Sequence, residues 1–160
     1  MKNKLVFLFV CSGNTCRSVM AEGLFPKVWT DFGQKTPFSV SSAGAETMDG
    51  MPATEEALII LAEEGAGLDG HRSRQVTKEI IAEADYIFTM TQRQKELLQQ
   101  YFPAAAAKIR MLTEYAFPGQ GVDISDPDRQ GVQKYRQTAK EIKAAMQKMV
   151  KRITQEESAV

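Results

Sequence analysis

Apolar runs alternate along the chain with stretches of helical spacing, and this alternation predicts an α/β fold. Continuous apolar or β-rich runs, which are typical of strands buried in a parallel sheet, occupy residues 5–10, 38–42, 86–90 and 109–112. Apolar residues at three- and four-residue spacing predict helices over residues 17–30, 52–62, 76–84, 91–101 and 132–153. We therefore expect a three-layer domain with a four-stranded parallel sheet and helices on both faces.

The length and continuity of the chain predict one domain. Its 160 residues suffice for a substantial core and no linker or repeat divides them, so a single domain over residues 1–160 is expected. The segment 113–127 contains several prolines and glycines and is predicted to be a loop. Residues 155–160 are expected to form a frayed tail.

Charge and composition argue against several kinds of partner and cofactor. Lys and Arg number 20, as do Asp and Glu, and no basic stripe stands out, so nucleic acid is not expected as a partner. The first apolar run is too short for a signal peptide and no segment is suited to span a membrane, so a cytoplasmic location is expected. No His, Cys or carboxylate cluster has the spacing of a metal site, and neither a metal nor another cofactor is expected.

The loop behind the first predicted strand has the features of an anion site. Cys11 ends the apolar run, small turn-forming residues follow, and the next helix is predicted to begin at Arg17. Backbone N–H groups converge in such a loop, and a helix N-terminus adds positive potential. We therefore expect a tetrahedral anion such as phosphate to bind here. The predicted phosphate-binding residues are Ser12, Gly13, Asn14, Thr15, Cys16 and Arg17.

The same loop predicts a nucleophile. An electropositive cradle favours the thiolate form of a cysteine at its mouth, and the thiolate is the form that attacks phosphorus. Cys11 has this position, and Arg17 presents a planar fork to two oxygens of the anion. The alternative interpretation is a buried structural cysteine beside an arginine at a helix start. The glycine, asparagine and serine residues around the loop favour catalysis.

A leaving group expelled by a thiolate needs a proton, and Asp126 is the preferred source. It ends the Pro- and Gly-rich segment, and Pro127 stiffens its backbone. An Asp-Pro pair before a helix is also typical of an N-cap followed by proline at N1, so a structural role is the alternative. Asp123 and Asp128 are nearby competitors for the role of the acid.

Four motifs together resemble a known family. Val-Cys-x-Gly-Asn-x-Cys-Arg-Ser at residues 10–18 resembles the signature of the low-molecular-weight protein tyrosine phosphatases. Ser-Ala-Gly at 42–44, His-Arg-Ser-Arg-Gln at 71–75 and Asp-Pro at 126–127 extend the resemblance over nearly the whole chain. The resemblance implies a cysteine-dependent phosphatase that forms a thiophosphate intermediate.

The resemblance also implies roles that the pattern of residues alone leaves undefined. Asp126 would be the acid, and a hydrogen-bond network would brace the phosphate loop. The residues that the resemblance assigns to this network are Asn14, Ser18, Ser42 and His71. Asparagine tolerates the left-handed backbone that a tight loop needs, and a serine hydroxyl beside the thiolate stabilises it.

Residues at the predicted mouth of the phosphate site differ from those that are usual in family members that act on phosphotyrosine. Such members usually carry aromatic residues after Asp-Pro and in the loop after the second strand, where Asp128, Arg129 and Met48 stand here. Thr15 resembles the bacterial branch that removes phosphate from arginine, as does Tyr-Arg-Gln-Thr at 135–138. We therefore predict phosphorylated proteins as substrates, with phosphoarginine favoured and phosphotyrosine as the alternative. The predicted specificity residues are Thr15, Met48 and Asp128.

The loop also predicts inhibitors and redox control. Inorganic phosphate and vanadate are expected to inhibit. Cys16 is the predicted redox partner of Cys11, because a neighbouring thiol traps an oxidised cysteine as a disulfide. The alternative is that Cys16 only packs under the loop.

Two rival functions share the phosphate loop. A thiol-based arsenate reductase needs resolving cysteines elsewhere, and the sequence has none after Cys16. A catalytically silent phosphate-binding module is favoured when the loop cysteine, the arginine or the Asp-Pro pair is missing, and all three are present.

Overall fold

The computed structural model describes residues 3–32 and 34–159. Four parallel strands form the sheet, and they pair in the order second, first, third, fourth. They are β1 (Leu5–Cys11), β2 (Phe38–Gly44), β3 (Tyr86–Thr89) and β4 (Ile109–Met111). The helices are α1 (Arg17–Asp31), α2 (Glu55–Glu63), α3 (Lys78–Glu83), α4 (Gln92–Tyr101), a 3₁₀ helix (Pro103–Lys108), α5 (Leu112–Ala116) and α6 (Val132–Ser158).

The alternating side chains of β1 belong to two separate cores. Phe7 and Phe9 pack into a cluster that includes residues of α1, α2, α5 and α6. Leu8 and Val10 pack into a second cluster with residues of α3 and α4. Because both faces of the central strand are buried, its sequence reads as a continuous apolar run. The predicted fold class, a parallel four-stranded sheet with helices on both faces, is confirmed.

The strand order places a crevice at the carboxyl end of β1. The chain passes from β1 to β2 on one side and then returns to β3 on the other side of β1. In open parallel sheets, ligands bind outside the carboxyl ends of the strands where the order reverses in this way. Cys11, the last residue of β1, lies at this point.

Two predicted element boundaries near the crevice differ from the structure. β2 continues to Gly44, where a Cβ atom would lie 2.8 Å from the carbonyl oxygen of Ser12, so only glycine fits. α2 begins at Glu55, with Thr54 as its N-cap, and not at Pro52. Pro52 instead forms an isolated antiparallel bridge with Arg72.

The predicted loop at 113–127 is partly helical. β4 ends at Met111, and α5 occupies the next five residues. The carboxylate of Glu114 accepts hydrogen bonds from the backbone N–H groups of Gly119 (2.9 Å) and Gly121 (2.8 Å). This folds the Pro- and Gly-rich turn back onto the helix and fixes the course of the segment toward Asp126.

The predicted frayed tail is wrong for most of its length, because α6 continues through Ser158. The hydroxyl of Tyr115 donates to Glu156 and the hydroxyl of Tyr86 donates to Glu157, each at 2.7 Å. These bonds hold the last turns of the helix against α5 and β3. Val160 lies outside the described residues.

In the part of the chain that the structure describes, no helix combines the length and the apolar character needed to cross a bilayer.

Candidate active site

The loop after β1 turns its carbonyl groups outward. Each carbonyl from residue 11 to residue 15 accepts a hydrogen bond from a neighbouring segment, at 2.8–3.0 Å. The donors are the backbone N–H groups of Ala45, Glu46 and Thr54, the Thr47 hydroxyl and the His71 ring. The amide N–H groups of residues 12–17 have no acceptor among the described residues. A row of unpaired donors at a helix N-terminus is an anion cradle.

Asn14 is the central brace of this cradle. It is fully buried and has φ of 57°, the left-handed conformation that asparagine tolerates. Its Oδ1 accepts from the backbone N–H of Arg74 at 3.0 Å. Since a backbone N–H can only donate, this bond fixes the orientation of the amide. Its Nδ2 then donates to the hydroxyls of Ser18 and Ser42, both at 2.9 Å.

The amide of Asn14 sets the direction of the next hydrogen bonds. Ser18 Oγ accepts from Asn14 and lies 3.0 Å from Cys11 Sγ, so its own proton is available to the sulfur. When Cys11 is a thiolate, which can only accept, Ser18 is the donor. The Ser42 hydroxyl donates in the other direction, to Glu22 at 2.6 Å. With Cys11 ionised, a directed chain of hydrogen bonds therefore ends on its sulfur with a donor, which stabilises the thiolate.

His71 supports the cradle from the outside. Its Nε2 lies 2.8 Å from the carbonyl oxygen of Asn14 and donates to it, because a carbonyl can only accept. The structure thus brings together the four residues that the sequence resemblance assigned to the network. They are Asn14, Ser18, Ser42 and His71.

Arg17 lies at the base of the cradle and is 5% exposed. Its Nη1 donates to the carbonyl oxygen of Ile124 at 2.8 Å, and its Nη2 lies 3.8 Å from Asp126 Oδ2. Ile124 is itself buried, and its N–H donates to the carbonyl of Met90 at the end of β3. These two bonds anchor the end of the long loop and carry Asp126 to the mouth of the cradle.

The helix-capping alternative for Asp126 is wrong. α6 begins at Val132 and its N-cap is Gly131, whose φ of 88° favours glycine. Asp126 therefore lies in the loop ahead of the helix, with its side chain about half exposed (54%). Its Oδ1 accepts from the backbone N–H of Asp128 at 3.1 Å, and Oδ2 faces Arg17.

The two competing aspartates have other partners. Asp123 Oδ1 accepts from the backbone N–H of Gln92 at 2.9 Å, at the start of α4. The Asp128 carboxylate lies 3.8 Å from the guanidinium of Arg129 and is exposed to solvent. Asp126 is the one of the three that faces the cradle arginine.

Cys16 is buried beneath the loop. Its Sγ lies 3.1 Å from the hydroxyl of Tyr135 and 3.7 Å from the hydroxyls of Thr15 and Thr54. Burial raises the pKa of the Cys16 thiol, and this effect outweighs the opposing hydrogen bonds from these hydroxyls. Both cysteines are free thiols.

The predicted specificity residues lie around the loop rather than inside one pocket. Thr15 is half-buried in the cradle, whereas Met48 is 72% exposed. The hydroxyl of Thr47, next to Met48, donates to the Gly13 carbonyl at 2.8 Å and ties the Met48 segment to the cradle. Asp128 is brought near the mouth by its bond to Asp126.

Sequence reasoning missed several residues that organise the cradle. Glu22 ends the hydrogen-bond chain, Arg74 orients Asn14, and Gln94 donates to the Ser12 hydroxyl at 3.1 Å. The Thr91-x-x-Gln94 spacing is a capping-box signal, but it indicates a helix start and not a contact with the loop. The other two contacts join segments distant in sequence.

Over residues 3–32 and 34–159, no group of three or more His, Cys, Asp or Glu side chains is arranged to hold a metal ion. The positive charge available to an anion is that of Arg17 and the loop amides.

Comparisons with known proteins agree with this geometry. The family model for "Low molecular weight phosphotyrosine protein phosphatase" matches residues 6–159. The protein-arginine-phosphatase of Bacillus subtilis is 33% identical over 146 residues, covering 91% of this chain and 95% of that protein. The probable low molecular weight protein-tyrosine-phosphatase EpsP of Ralstonia nicotianae is 33% identical over 147 residues, covering 91% and 94%.

The fold comparison gives the same result. A solved structure of a YwlE arginine phosphatase mutant with a phosphorylated active-site serine matches with a TM-score of 0.86 and 31% identity. The match covers 94% of this chain and 96% of that one.

The Asn14 brace leads to a prediction about anion binding. Asn14→Gly keeps the left-handed backbone but removes all three side-chain hydrogen bonds, so the cradle and the Ser18 hydroxyl lose their alignment. We expect the affinity for inorganic phosphate to fall about 10- to 100-fold by calorimetry, and further in Asn14→Ala, whose backbone is strained.

Ser41→Ala is the matched control. It removes the hydrogen bond that Arg74 Nη2 makes with the Ser41 hydroxyl at 2.9 Å, outside the cradle, and should leave phosphate affinity unchanged. Wild-type affinity in Asn14→Gly would contradict the role of the brace.

Proposed function

The chain belongs to the low molecular weight phosphotyrosine protein phosphatase family, and we propose that it hydrolyses phosphorylated arginine side chains of proteins through Cys11. Its relatives are named protein-arginine and protein-tyrosine phosphatases, which are hydrolases. The observation that carries the mechanism is the directed chain from Asn14 through Ser18 to Cys11 Sγ, beside a row of unpaired amides.

Substrate binding uses charges and donors that are already in place. The phosphoryl group docks on the N–H groups of residues 12–17, and the Arg17 guanidinium spans two of its oxygens. The Ile124 carbonyl holds Arg17 in this orientation before the substrate arrives. These donors also stabilise the negative charge that builds up on the equatorial oxygens during transfer.

In the first step the Cys11 thiolate attacks phosphorus in line with the leaving atom. A P–S bond forms, the P–N or P–O bond breaks, and Asp126 gives its proton to the leaving nitrogen or oxygen. The phosphorylated active-site serine in the YwlE mutant supports covalent transfer to the residue at the nucleophile position of that protein. Ser18 stabilises the thiolate through its O–H.

In the second step Asp126, now ionised, removes a proton from water. The water oxygen bonds to phosphorus, the P–S bond breaks, and Cys11 returns to the thiolate while inorganic phosphate leaves. Phosphate and vanadate fit the same cradle, so we propose both as inhibitors.

The role of Asp126 leads to a leaving-group prediction. Asp126→Asn cannot donate a proton, so kcat/KM, which covers the steps up to the loss of the leaving group, should fall about 100- to 10,000-fold on phosphoarginine peptides. The loss should be much smaller on aryl phosphates whose leaving group needs no proton. Steady-state kinetics over a series of leaving groups measures this dependence.

Asp123→Asn and Asp128→Asn are the matched controls. Asp123 accepts from the N–H of Gln92 in the first turn of α4, so its loss should lower stability and leave the dependence on the leaving group unchanged. If either control alters that dependence more than Asp126→Asn does, another carboxylate is the acid.

The choice of phosphoarginine rests on the mouth of the cradle, because overall similarity does not decide it. Relatives named for arginine and for tyrosine are equally identical, at 33%. A phenyl ring needs apolar walls, whereas a guanidinium presents N–H donors that cost about 1–3 kcal/mol each when left unpaired. We propose that the Thr15 hydroxyl and the carboxylates of Asp126 and Asp128 act as these acceptors, and the exposed Met48 is an apolar but non-aromatic residue of the neighbouring segment. Phosphotyrosine is the second candidate.

The substrate assignment predicts a shift in selectivity. Thr15→Ile removes a polar partner and adds apolar surface, so the ratio of kcat/KM values should move toward phosphotyrosine by one or two powers of ten, about 1–3 kcal/mol. Wild type should prefer phosphoarginine on matched peptides. Thr15→Val removes the hydroxyl without lengthening the side chain. It therefore separates the effect of the lost polar partner from the effect of the added apolar surface.

A wild-type enzyme that is faster on phosphotyrosine, with the ratio unchanged in Thr15→Ile, would overturn the substrate assignment. The roles of Cys11, Arg17 and Asp126 would survive that result.

The rival functions have less support. An arsenate reductase of this type needs further cysteines, and the sequence contains only Cys11 and Cys16. A silent phosphate-binding module has no need of an aspartate at the mouth, where Asp126 lies beside Arg17. Hydrolysis of an aryl phosphate that vanadate blocks distinguishes the phosphatase from both.

We further propose that residues 1–160 form one phosphatase domain that acts in the cytoplasm. Two free thiols in one loop suit a reducing compartment, because oxidation of Cys11 would remove the proposed nucleophile.

Cys16 leads to a redox prediction. Mild peroxide should convert Cys11 to the sulfenic acid, and the Cys16 thiolate then attacks this sulfur, forming the S–S bond and expelling hydroxide, which takes a proton from solvent to give water. Dithiothreitol should restore activity in wild type but less completely in Cys16→Ser. Since burial raises the pKa of Cys16, little thiolate is present at neutral pH and disulfide formation should accelerate as the pH rises. Equal recovery of both proteins would mean that Cys16 only packs under the loop.

A further inference from the structure

Gln94, in the first turn of α4, is a buried polar residue for which the proposed mechanism has no use. It is 4% exposed, and its Oε1 accepts from the backbone N–H groups of Met90 (2.9 Å) and Thr91 (3.1 Å). Both partners can only donate, so the amide is fixed with Nε2 toward the cradle. Nε2 donates to Ser12 Oγ at 3.1 Å.

The contact with Gln94 leaves the Ser12 hydroxyl free to donate one hydrogen bond. Because Oγ accepts from Gln94, the hydroxyl proton must point elsewhere, and none of the residues that the structure describes accepts it. The backbone of Ser12 is also fixed, since its carbonyl accepts from the N–H of Glu46 at 3.0 Å. A rigid, half-buried O–H donor therefore lies directly after the nucleophile Cys11.

Helix capping alone does not account for a glutamine here. In a capping box, Glu and Gln serve equally well as the acceptor for the N-cap amide. A glutamate, however, would accept the Ser12 proton and turn it away from the cradle. With glutamine, Nε2 donates to the Ser12 hydroxyl, which is the opposite direction to the bond that a glutamate would make. The presence of this donor is the feature that needs an explanation.

We propose that the Ser12 hydroxyl donates to the phosphoryl group of the substrate, and that Gln94 is the positioning residue that keeps its proton available. This rests on the proposed function, because it takes the phosphoryl group to be bound in the cradle. The contact is to phosphoryl oxygen and not to the leaving group. It therefore assists phosphoarginine and phosphotyrosine alike, unlike Thr15.

The test is a double-mutant cycle with Gln94→Glu and Ser12→Ala. Gln94→Glu keeps the acceptor for the α4 amides but reverses the bond to Ser12, and urea denaturation of each variant checks that α4 is intact. Each single change should lower kcat/KM about 10- to 100-fold on both phosphopeptides and weaken vanadate binding, measured by calorimetry, by a similar factor. Ser12→Thr, which keeps a hydroxyl, should restore most of the loss.

The double mutant separates the hydroxyl from the added charge. In the Ser12→Ala background there is no hydroxyl left to reorient, so Gln94→Glu should lower kcat/KM only through its negative charge. This loss of kcat/KM should be clearly smaller than the loss that Gln94→Glu causes in wild type. The proposal is overturned if the two effects are additive, if Ser12→Ala keeps full activity, or if the loss falls on one substrate only. If wild type hydrolyses neither phosphopeptide, the proposed function fails, and the vanadate measurements still decide the role of Ser12.

Discussion

The hydrogen bond from the backbone N–H of Arg74 to Asn14 Oδ1 fixes the direction of the hydrogen bonds that Asn14 makes to the serines near Cys11. Reversal of the Asn14 amide would leave that N–H unpaired, so Nδ2 must donate to both serine hydroxyls. Each serine hydroxyl then keeps its own proton to donate, and Ser18 Oγ lies 3.0 Å from the Cys11 sulfur. One obligatory donor thus leaves a hydrogen-bond donor available to the sulfur, as a thiolate requires.

The fold brings the remaining groups to this point from distant parts of the chain. Reversal of the strand order next to β1 opens the crevice, and the 3.0 Å bond between Ile124 and Met90 closes the long loop over it. Arg17 bonds to the same Ile124 and lies near Asp126, so the proposed anion-binding cation and the proposed acid share one anchor. Sheet topology therefore places the mouth of the cradle, and distant segments that bond to Asn14 brace the loop below it.

The predictable features were those encoded locally. The apolar runs indicated the parallel sheet, and the Cys11 to Arg17 spacing indicated the cradle, because strand, loop and helix start follow each other in sequence. α5 was missed because five residues give too little periodicity. The continuation of the last helix to Ser158 was missed because it depends on hydrogen bonds from Tyr86 to Glu157 and from Tyr115 to Glu156. The contact of Gln94 with Ser12 joins segments that no sequence pattern relates, and the bond from the Arg74 N–H is a backbone contact that the 71–75 motif does not specify.

The proposed mechanism requires the phosphoryl group to reside on Cys11 during turnover. The direct measurement is rapid acid quench of the enzyme with a phosphoarginine peptide, followed by digestion and mass spectrometry to locate the phosphate. We predict phosphate on Cys11 within the first turnover, in wild type and equally in Cys16→Ser, which controls for the second thiol of the loop. Turnover with phosphate on another residue, or with no phosphoenzyme at any time, would contradict nucleophilic catalysis by Cys11.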